Sequence, residues 1–360
     1  MRFIIITYTF IYLTYISCYS LSFSLQKLKK YAAITFTSTS IFNFPASSFA
    51  VDNALGSNTI FKDQSMVLQD ISFRVPNVDI DSEVFLKLTQ NSMKILRSTK
   101  NTKTLGFGAD TLNKIDDFIP GVSSFNTDSG HATITLIEDQ INNGDIDTDT
   151  TVITEKGNGI QFIKLGADLI RISKAIEAGA EVKTAYGYID LDTPAGIPVQ
   201  VVLGIRRDPL SYIALRVSNV KQSGEWLSNT LGMKKVDFDK TLSRVKGSDF
   251  EPQSELFPGS EYYSYSDDTM GVLLLASPKK AGPIEVGGLI DSIKIVVDSN
   301  SEDVPQPIKD MLIDANSNAN TNSNTNDKKY LESPDGYRFS VQSAKDFEKT
   351  STKKAPEFSL

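Results

Sequence analysis

Two short segments of the chain recur at nearly the same distance, and this repeat constrains the fold more than any other feature. The segment at 71–78, ISFRVPNV, returns 142 residues later at 213–220 as IALRVSNV. The segment at 194–201, PAGIPVQV, returns 140 residues later at 334–341 as PDGYRFSV. Because two unrelated segments keep the same spacing, the sequence predicts a duplicated domain, with boundaries at 66–206 and 207–345.

Each copy shows the same alternation of strand and helix patterns twice. In 70–75, Ile71, Phe73 and Val75 alternate with polar residues, which is typical of a half-buried strand. A helix is predicted over 167–178, where apolar residues recur at helical spacing. Further strands are predicted at 160–165, 183–190, 199–203, 212–217, 262–265, 272–275, 293–297 and 337–341.

The chain contains one cysteine, Cys18, and one histidine, His131. These counts exclude a disulfide framework, a cysteine-rich zinc site and any metal site that needs two histidines from one chain. A catalytic histidine needs an orienting partner, and none can be assigned from the sequence, so His131 is predicted to be structural. The formal charge is −7 and no dense basic run occurs, so nucleic-acid binding is not expected.

The first fifty residues are predicted to be a targeting sequence. They contain four basic residues and no acidic residue. The apolar stretch at 3–16 is shorter than the roughly 20 residues of a membrane span but suits a secretory signal peptide. A second unit follows, with two lysines at 29–30, a moderately apolar stretch at 31–44 and a small-x-Ala ending at Ala50.

Two stacked signals resemble the compound targeting sequence of nucleus-encoded plastid proteins in algae with complex plastids. The second signal resembles that of thylakoid-lumen proteins. We therefore expect a mature protein that begins near Val51, resides in the plastid, in the thylakoid lumen, and has no integral membrane span. The alternative is a single uncleaved signal anchor.

The repeated segments resemble those of a known family. Besides 71–78 and 212–220, the matching landmarks are LGMK at 231–234, GNGI at 157–160 with EAGAEV at 177–182, and SPDGY at 333–337. The resemblance covers nearly all of 66–345 and is to the vicinal-oxygen-chelate superfamily, most of all to two-domain glyoxalase I (lactoylglutathione lyase) proteins. It implies an α+β fold of tandem duplicated glyoxalase-like domains. Each domain would consist of two βαβββ modules that form a cup-shaped mixed sheet.

Enzymes of this family hold a divalent metal in the cup, through a His or Gln at the start of each module's first strand and a Glu on its last strand. In the first domain the resemblance places these four positions at Asp70, Thr135, Ile160 and Gln200. In the second it places them at Tyr212, Leu274, Asp291 (Ser292 in a shifted register) and Ser340. Since none is a histidine or glutamate, no transition-metal cofactor is expected. The alternative is a weakly bound, hydrated Mg²⁺ on Asp70 and Gln200.

Arg74 and Arg216 match the arginine with which glyoxalase I contacts the carboxylate end of glutathione. A guanidinium in an apolar cup suits bidentate capture of a carboxylate or phosphate. The alternative is a structural ion pair, for Arg74 with Asp70 on the same strand face. Tyr212 is expected either to contact a ligand or to fill the emptied metal position. The predicted binding residues are Arg74, Arg216, Tyr212, Asp70 and Gln200.

The predicted function is that of a degenerate glyoxalase-like protein, which binds a small anionic molecule resembling a glutathione conjugate without a metal. Two alternatives stay open. One is an active lactoylglutathione lyase that detoxifies methylglyoxal, with a site at the interface of a homodimer. The other is a structural partner of a thylakoid complex. The Asn-rich segment 314–327 is expected to be a flexible surface loop, and 346–360 a flexible tail.

Overall fold

A computed structural model describes most of the chain that carries the repeat. It covers residues 65–113, 130–139 and 156–351, except 168, 187, 204–207, 238–256, 267–268, 279–280 and 319–329. The predicted targeting sequence at 1–50 lies outside the described residues, as does the end of the chain from 352.

Four successive modules build the structure, each with a strand, a helix and further strands. The first has β1 (Met66–Val75), α1 (Val78–Leu88), β2 (Lys94–Ser98), β3 (Thr102–Gly106), β4 (Ala109–Asn113) and β5 (Thr133–Glu138). The second has β6 (Ile160–Ala167), α2 (Ile172–Glu177), β7 (Glu181–Tyr186), β8 (Tyr188–Asp192) and β9 (Pro198–Leu203). The third has β10 (Leu210–Val217), α3 (Val220–Leu231), β11 (Lys234–Val236), β12 (Glu261–Ser264) and β13 (Gly271–Ala276). The fourth has β14 (Ile290–Val297), α4 (Gln306–Asn318), β15 (Leu331–Glu332) and β16 (Arg338–Ser343), followed by α5 (Ala344–Ser351).

Apart from β4, the strands form two mixed sheets, of seven and eight strands, which confirms the predicted α+β architecture of two-module sheets. The seven-stranded sheet has the order β15-β16-β14-β1-β5-β3-β2, and the eight-stranded sheet has the order β11-β12-β13-β10-β6-β9-β8-β7. At the centre of each sheet the first strands of two modules pair antiparallel, β1 with β14 and β10 with β6.

Each sheet combines modules from opposite halves of the chain. The first and fourth modules share the seven-stranded sheet, and the second and third share the eight-stranded sheet. The expectation that one cup holds Asp70, Thr135, Ile160 and Gln200 is therefore wrong, because these residues lie on two different sheets. The boundaries 66–206 and 207–345 stay a prediction about the duplication; they do not divide the molecule into cups.

Within each half, hydrogen bonds to a carboxylate join the helix region of one module to a turn of the next. In the first half, the Asp81 carboxylate on α1 accepts a 2.9 Å hydrogen bond from the Ala195 amide. In the second half the acid lies on the turn, where Asp335 accepts bonds from the Ser218 amide (2.9 Å), the Ser218 hydroxyl (2.6 Å) and the Ser223 hydroxyl (2.7 Å). The two halves thus use the same contact with the carboxylate on opposite sides.

The asparagine of each repeated segment starts a helix. Asn77 accepts bonds from the amides of Asp79 (2.9 Å) and Ile80 (3.1 Å), and Asn219 accepts one from Gln222 (3.2 Å). A side-chain acceptor of this kind satisfies amides that have no partner inside the helix. None of the helices in the described part of the chain is long and apolar enough to cross a membrane.

Two expectations about the C-terminal part need correction. The helix α4 extends to Asn318, so the first residues of the Asn-rich segment are helical; 319–327 lies outside the described residues. The segment 346–351 belongs to α5 and is not a free tail. Its Phe347 is buried with Val67, Leu112 and Val296, because a large apolar side chain at this point of an amphipathic helix gains more from burial than from exposure.

The Asp81 contact makes a pH-dependent prediction. Burial raises the pKa of the Asp81 carboxyl above its ordinary value, although hydrogen bonds from Thr193 and Ala195 act in the opposite direction. A group whose pKa is raised by folding contributes most at low pH, and this contribution is lost as the pH rises through the folded-state pKa. Asp81→Asn keeps the carbonyl acceptor without the charge, so the variant should be more stable than the wild type at pH 7.

Urea unfolding at pH 7 and pH 4 measures this difference, which should shrink at the lower pH. Asp81→Ala is the control, because it removes the acceptor for the Ala195 amide and should be destabilising at both pH values. If Asp81→Asn is less stable than the wild type at pH 7, the ionised carboxylate is favourable and the reasoning is wrong.

Candidate functional site

The seven-stranded sheet has one apolar and one polar face. Ile71, Phe73 and Val75 of β1 pack into the main core with residues of α1. The alternate residues, Asp70, Ser72 and Arg74, lie on the other face, which we call the first cup. The corresponding face of the eight-stranded sheet, which carries Tyr212, is called the second cup.

The pairing of β1 with β14 relates the positions of the first cup in two equivalent pairs, one on the first strands and one on the last strands of the two modules. Asp70 pairs with Lys294, and Ser72 pairs with Ser292. Ser292 therefore occupies on β14 the place that Asp70 has on β1, since each lies opposite the residue two positions beyond the other. On the last strands, Thr135 pairs with Ser72 and Ser340 pairs with Lys294. The positions at which the family places metal ligands are thus Asp70, Thr135, Ser292 and Ser340, with Ser292 rather than Asp291.

Asp70 is engaged by hydroxyl groups of its own sheet. Its Oδ1 accepts bonds from Thr133 (2.6 Å) and Thr135 (2.7 Å), and its Oδ2 accepts one from Ser72 (2.8 Å). The side chain is buried, and Thr135 is joined further to Thr104 at 3.1 Å. A buried carboxylate must be paired or hydrogen-bonded. Here the three hydroxyl groups supply those hydrogen bonds, and no cation takes part in the network.

The donor set of the first cup does not fit a transition metal. It consists of one carboxylate and three hydroxyls, whereas Ni, Zn and Fe in proteins are held by imidazole, thiolate or several carboxylates. Among the described residues, no group of three or more His, Cys, Asp and Glu side chains converges as a metal site would need. Gln200 lies on the other sheet, so it cannot join Asp70 in holding Mg²⁺ as the alternative expected.

Arg74 lies at the accessible end of the first cup, with 46% of its side chain exposed. Its Nε and Nη2 donate to Oδ1 of Asp291 at 2.9 and 2.6 Å. This bond raises the pKa of the Arg74 guanidinium above its ordinary value. Asp291 occupies the register shift between β1 and β14, which turns its carboxylate toward Arg74. Arg74 therefore forms an ion pair, as the alternative expected, but its partner is Asp291 and not Asp70.

Aromatic side chains fill the centre of the second cup. Tyr212 is fully buried and makes edge-to-face contacts with Phe162 (centroids 5.9 Å apart) and Tyr262 (6.0 Å). Phe257 packs on Phe162 at 5.8 Å. Such contacts favour a packed aromatic cluster, in which the Tyr212 ring fills the centre of the second cup.

The register of the second cup corrects two predicted ligand positions. Tyr212 pairs with Lys164, and Ala214 pairs with Phe162, so Phe162 takes the place expected for Ile160. A register shift in β6 causes this displacement and leaves Ile160 in the main core. Leu274 also faces the main core, and its neighbour Leu273 lies in the cup, because a shift of one residue reverses the face of a strand.

Gln200 lies in the second cup, opposite Lys164. Its Nε2 donates to Oδ1 of Asp190 at 3.0 Å, and Thr184 donates to the other oxygen at 2.8 Å. Gln200 is therefore part of a hydrogen-bonded group on β7, β8 and β9, and the structure does not bring it near Arg74 or Asp70.

Arg216 is buried and has only neutral acceptors in the described part of the chain. Its Nε donates to the Ser277 hydroxyl (3.1 Å), Nη1 to the Asn158 carbonyl (3.3 Å) and Nη2 to the Ala281 carbonyl (3.3 Å). At the bulge of β6, Gln161 stands where β14 has Asp291. The two arginines therefore differ in their partners: Arg74 forms an ion pair, and Arg216 fastens the segment after β13.

The sequence analysis missed Lys294 and Lys164, which lie opposite Asp70 and Tyr212. Lys164 is buried, with its Nζ 5.5 Å from the centroid of the Tyr212 ring. The signal was present in both strands, because each lysine interrupts an apolar run, SIKIVV at 292–297 and FIKL at 162–165. A lysine inside such a run indicates a polar position on one face of a strand.

Comparisons with solved structures support the same fold. Glyoxalase I from Zea mays superposes with a TM-score of 0.52 and 16% sequence identity, over 80% of this chain and 96% of that chain. A mutant of the same enzyme gives a TM-score of 0.51 at 16% identity, over 79% of this chain and 96% of that chain. No family model matches the sequence. No curated protein matches it either. The chain has the fold of the vicinal-oxygen-chelate superfamily, as the repeated segments predicted.

Proposed function

We propose that this protein binds a small anionic molecule in the first cup and does so without a metal. One observation carries the proposal. We call Asp70, Thr135, Ser292 and Ser340 the four floor positions of the first cup. Asp70 is the single carboxylate among them, and it already accepts hydrogen bonds from three hydroxyls. A metal at this point would have to displace those bonds, and besides the Asp70 carboxylate it would gain only the neutral hydroxyl oxygens of Thr135, Ser292 and Ser340. The proton transfers of a glyoxalase reaction also need a carboxylate base near the metal, and Thr135, Ser292 and Ser340 cannot serve as one.

The choice of the first cup follows from the chemistry of the two faces. The centre of the second cup is closed by Tyr212, Phe162, Tyr262 and Phe257, whose role is to pack the sheet. The first cup offers hydroxyls and the cation Lys294 on its floor and has the half-exposed Arg74 at its end. A polar floor of this kind suits an oxygen-rich ligand, and its cations favour an anion.

The class of ligand is proposed from the resemblance to glyoxalase I, which handles glutathione conjugates. Arg74 is the residue of the first cup that matches the glutathione-contacting arginine. Its ion pair with Asp291 uses Nε and Nη2, and the other terminal amino group, Nη1, lies 3.8 Å from the Asp139 carboxylate. A glutathione-like carboxylate at the end of the cup would bind there. The proposed location of the protein, and of this ligand binding, is the thylakoid lumen of the plastid.

Elemental analysis together with calorimetry tests the proposal. Protein purified from cells supplied with nickel, zinc and manganese should contain no stoichiometric metal, and it should bind S-hexylglutathione in the presence of a chelator. It should not isomerise the hemithioacetal of methylglyoxal and glutathione. A metal content near one per chain, or isomerase activity that a chelator removes, would instead establish the lactoylglutathione lyase reading.

Installing ligands at the four floor positions tests whether only the donor set prevents metal binding. The variant Asp70→His, Thr135→Glu, Ser292→Gln, Ser340→Glu places the family's donor types where the strand register brings them together. It should bind Ni²⁺ or Zn²⁺ stoichiometrically, measured by elemental analysis after dialysis, and metal should raise its melting temperature.

The matched control replaces both installed glutamates by glutamine, Thr135→Gln and Ser340→Gln, beside the same two changes on the first strands. It has the same size but no carboxylate, so its metal affinity should be much weaker. Equal affinity of the two variants would show that the metal is held elsewhere in the chain.

A further inference from the structure

Lys294 is the cation on the floor of the first cup, and its charge is not used by the described structure. It lies directly opposite Asp70 on the neighbouring strand and beside Ser340 on the other side. It is partly buried. Within residues 65–351 as described, Lys294 forms no hydrogen bond and no ion pair. A lysine in such a position normally pairs with the acid across the strands, so its separation from Asp70 needs an explanation.

The explanation is the hydroxyl network of Asp70. Thr133 and Thr135 hold its Oδ1 on the side of β5, away from β14, while Ser72 donates to Oδ2. The carboxylate is thereby kept from the ammonium group although their backbones are adjacent. Each group is left with unused hydrogen-bonding capacity. Lys294 can still donate from its ammonium group, and Oδ2 of Asp70 accepts a single bond.

A second unused group lies next to Lys294. The hydroxyl oxygen of Ser340 is buried and has no hydrogen-bond partner among the residues that the structure describes. Buried polar atoms are almost always paired, so an orphaned hydroxyl calls for a partner that the chain itself does not supply. Ser340 and Lys294 are paired across β16 and β14, and an acceptor placed between them would satisfy both.

The face that carries Lys294 and Ser340 differs in polarity between its two ends. Toward the start of β1 the same face is closed by Val67, Val296, Leu112 and Phe347. In the other direction come Ser72 and Ser292, and then Arg74, which is half exposed. The polar part of the floor therefore ends at buried apolar side chains on one side and at the half-exposed Arg74 on the other.

We propose that Lys294 and Ser340 bind the carboxylate of a small 2-hydroxy acid, whose hydroxyl donates to Oδ2 of Asp70. The carboxylate would take charge-assisted bonds from Lys294 and the bond that Ser340 lacks. The adjacent carbon places its hydroxyl across the strand pair, where Asp70 has room for one more donor. A monoanion fits better than a phosphate dianion, because Asp70 is itself negative and only one cation faces it.

This inference rests on the proposed function and narrows it: the group at the floor of the cup is an acid with a neighbouring hydroxyl. Whether a glutathione-like part extends from it toward Arg74 is a separate matter. A longer ligand and a free small acid share this chemistry at the floor, and the choice of probes separates them.

Calorimetric titration of the purified protein with four small probes tests the inference. Glycolate carries both groups, acetate lacks the hydroxyl, glycolamide lacks the charge, and inorganic phosphate is a general anion. Glycolate should bind most tightly, with acetate and glycolamide each weaker by about tenfold, which corresponds to the loss of one good hydrogen bond or ion contact. Phosphate should not compete.

Three variants locate the site. Lys294→Met should weaken glycolate binding by about tenfold or more, and Ser340→Ala should weaken it by a few-fold. Lys164→Met, which changes the lysine at the same position of the second cup, should leave glycolate affinity unchanged. Lys294→Met should also raise the melting temperature of the free protein, because it replaces an unpaired, partly buried charge by an apolar chain of similar length.

Several results would overturn the subsite, and two of them come directly from the glycolate titrations. One is glycolate binding that Lys294→Met leaves unchanged; the other is equal affinity for glycolate and glycolamide. If S-hexylglutathione binds and glycolate does not, the subsite is wrong and the proposed function stands. If neither probe binds, both fail. A fall in the melting temperature of Lys294→Met would show that the lysine is structural and would also contradict the inference.

Discussion

The antiparallel pairing of first strands from opposite halves of the chain is the constraint on which the rest of the structure depends. It joins β1 to β14 and β10 to β6, so each sheet is completed only when both halves are present. The same pairing decides which side chains meet on the cup floors: Asp70 faces Lys294, and Tyr212 faces Lys164. A repeat that would otherwise form two separate domains is thereby interleaved into one structure.

The two cups show how one frame takes two different interiors. In the first, a carboxylate is satisfied by short bonds from hydroxyls on its own and the neighbouring strand, and the floor stays polar. In the second, aromatic rings occupy the corresponding positions and exclude polar chemistry from the centre. Burying rings gains free energy through apolar area, whereas a polar floor retains hydrogen-bonding capacity. The packed rings of the second cup stabilise its sheet, and the polar floor of the first cup is the place where we propose that a ligand binds.

The register shifts in β14 and β6 also give the two arginines, Arg74 and Arg216, different partners. In β14 the shifted residue is Asp291, which pairs with Arg74 and leaves the guanidinium at the open end of the cup. In β6 it is Gln161, and Arg216 instead binds two carbonyls and a serine, which fastens the segment after β13. A single difference between acid and amide at the bulge thus separates an accessible cation from a structural one.

The sequence by itself determined the modules and the residue types that stand at the positions where the resemblance places metal ligands. Its two offsets predicted the duplication, the asparagines at 77 and 219 begin the expected helices, and no histidine or glutamate stands at any ligand position, before or after correction of the register. Only the tertiary structure decided that Phe162, Leu273 and Ser292 occupy the floor in place of Ile160, Leu274 and Asp291. It also decided that Lys294 meets Asp70. The physical reason is that periodicity describes one strand at a time, whereas a bulge changes which residues face a partner strand and the partner lies in the other half of the chain.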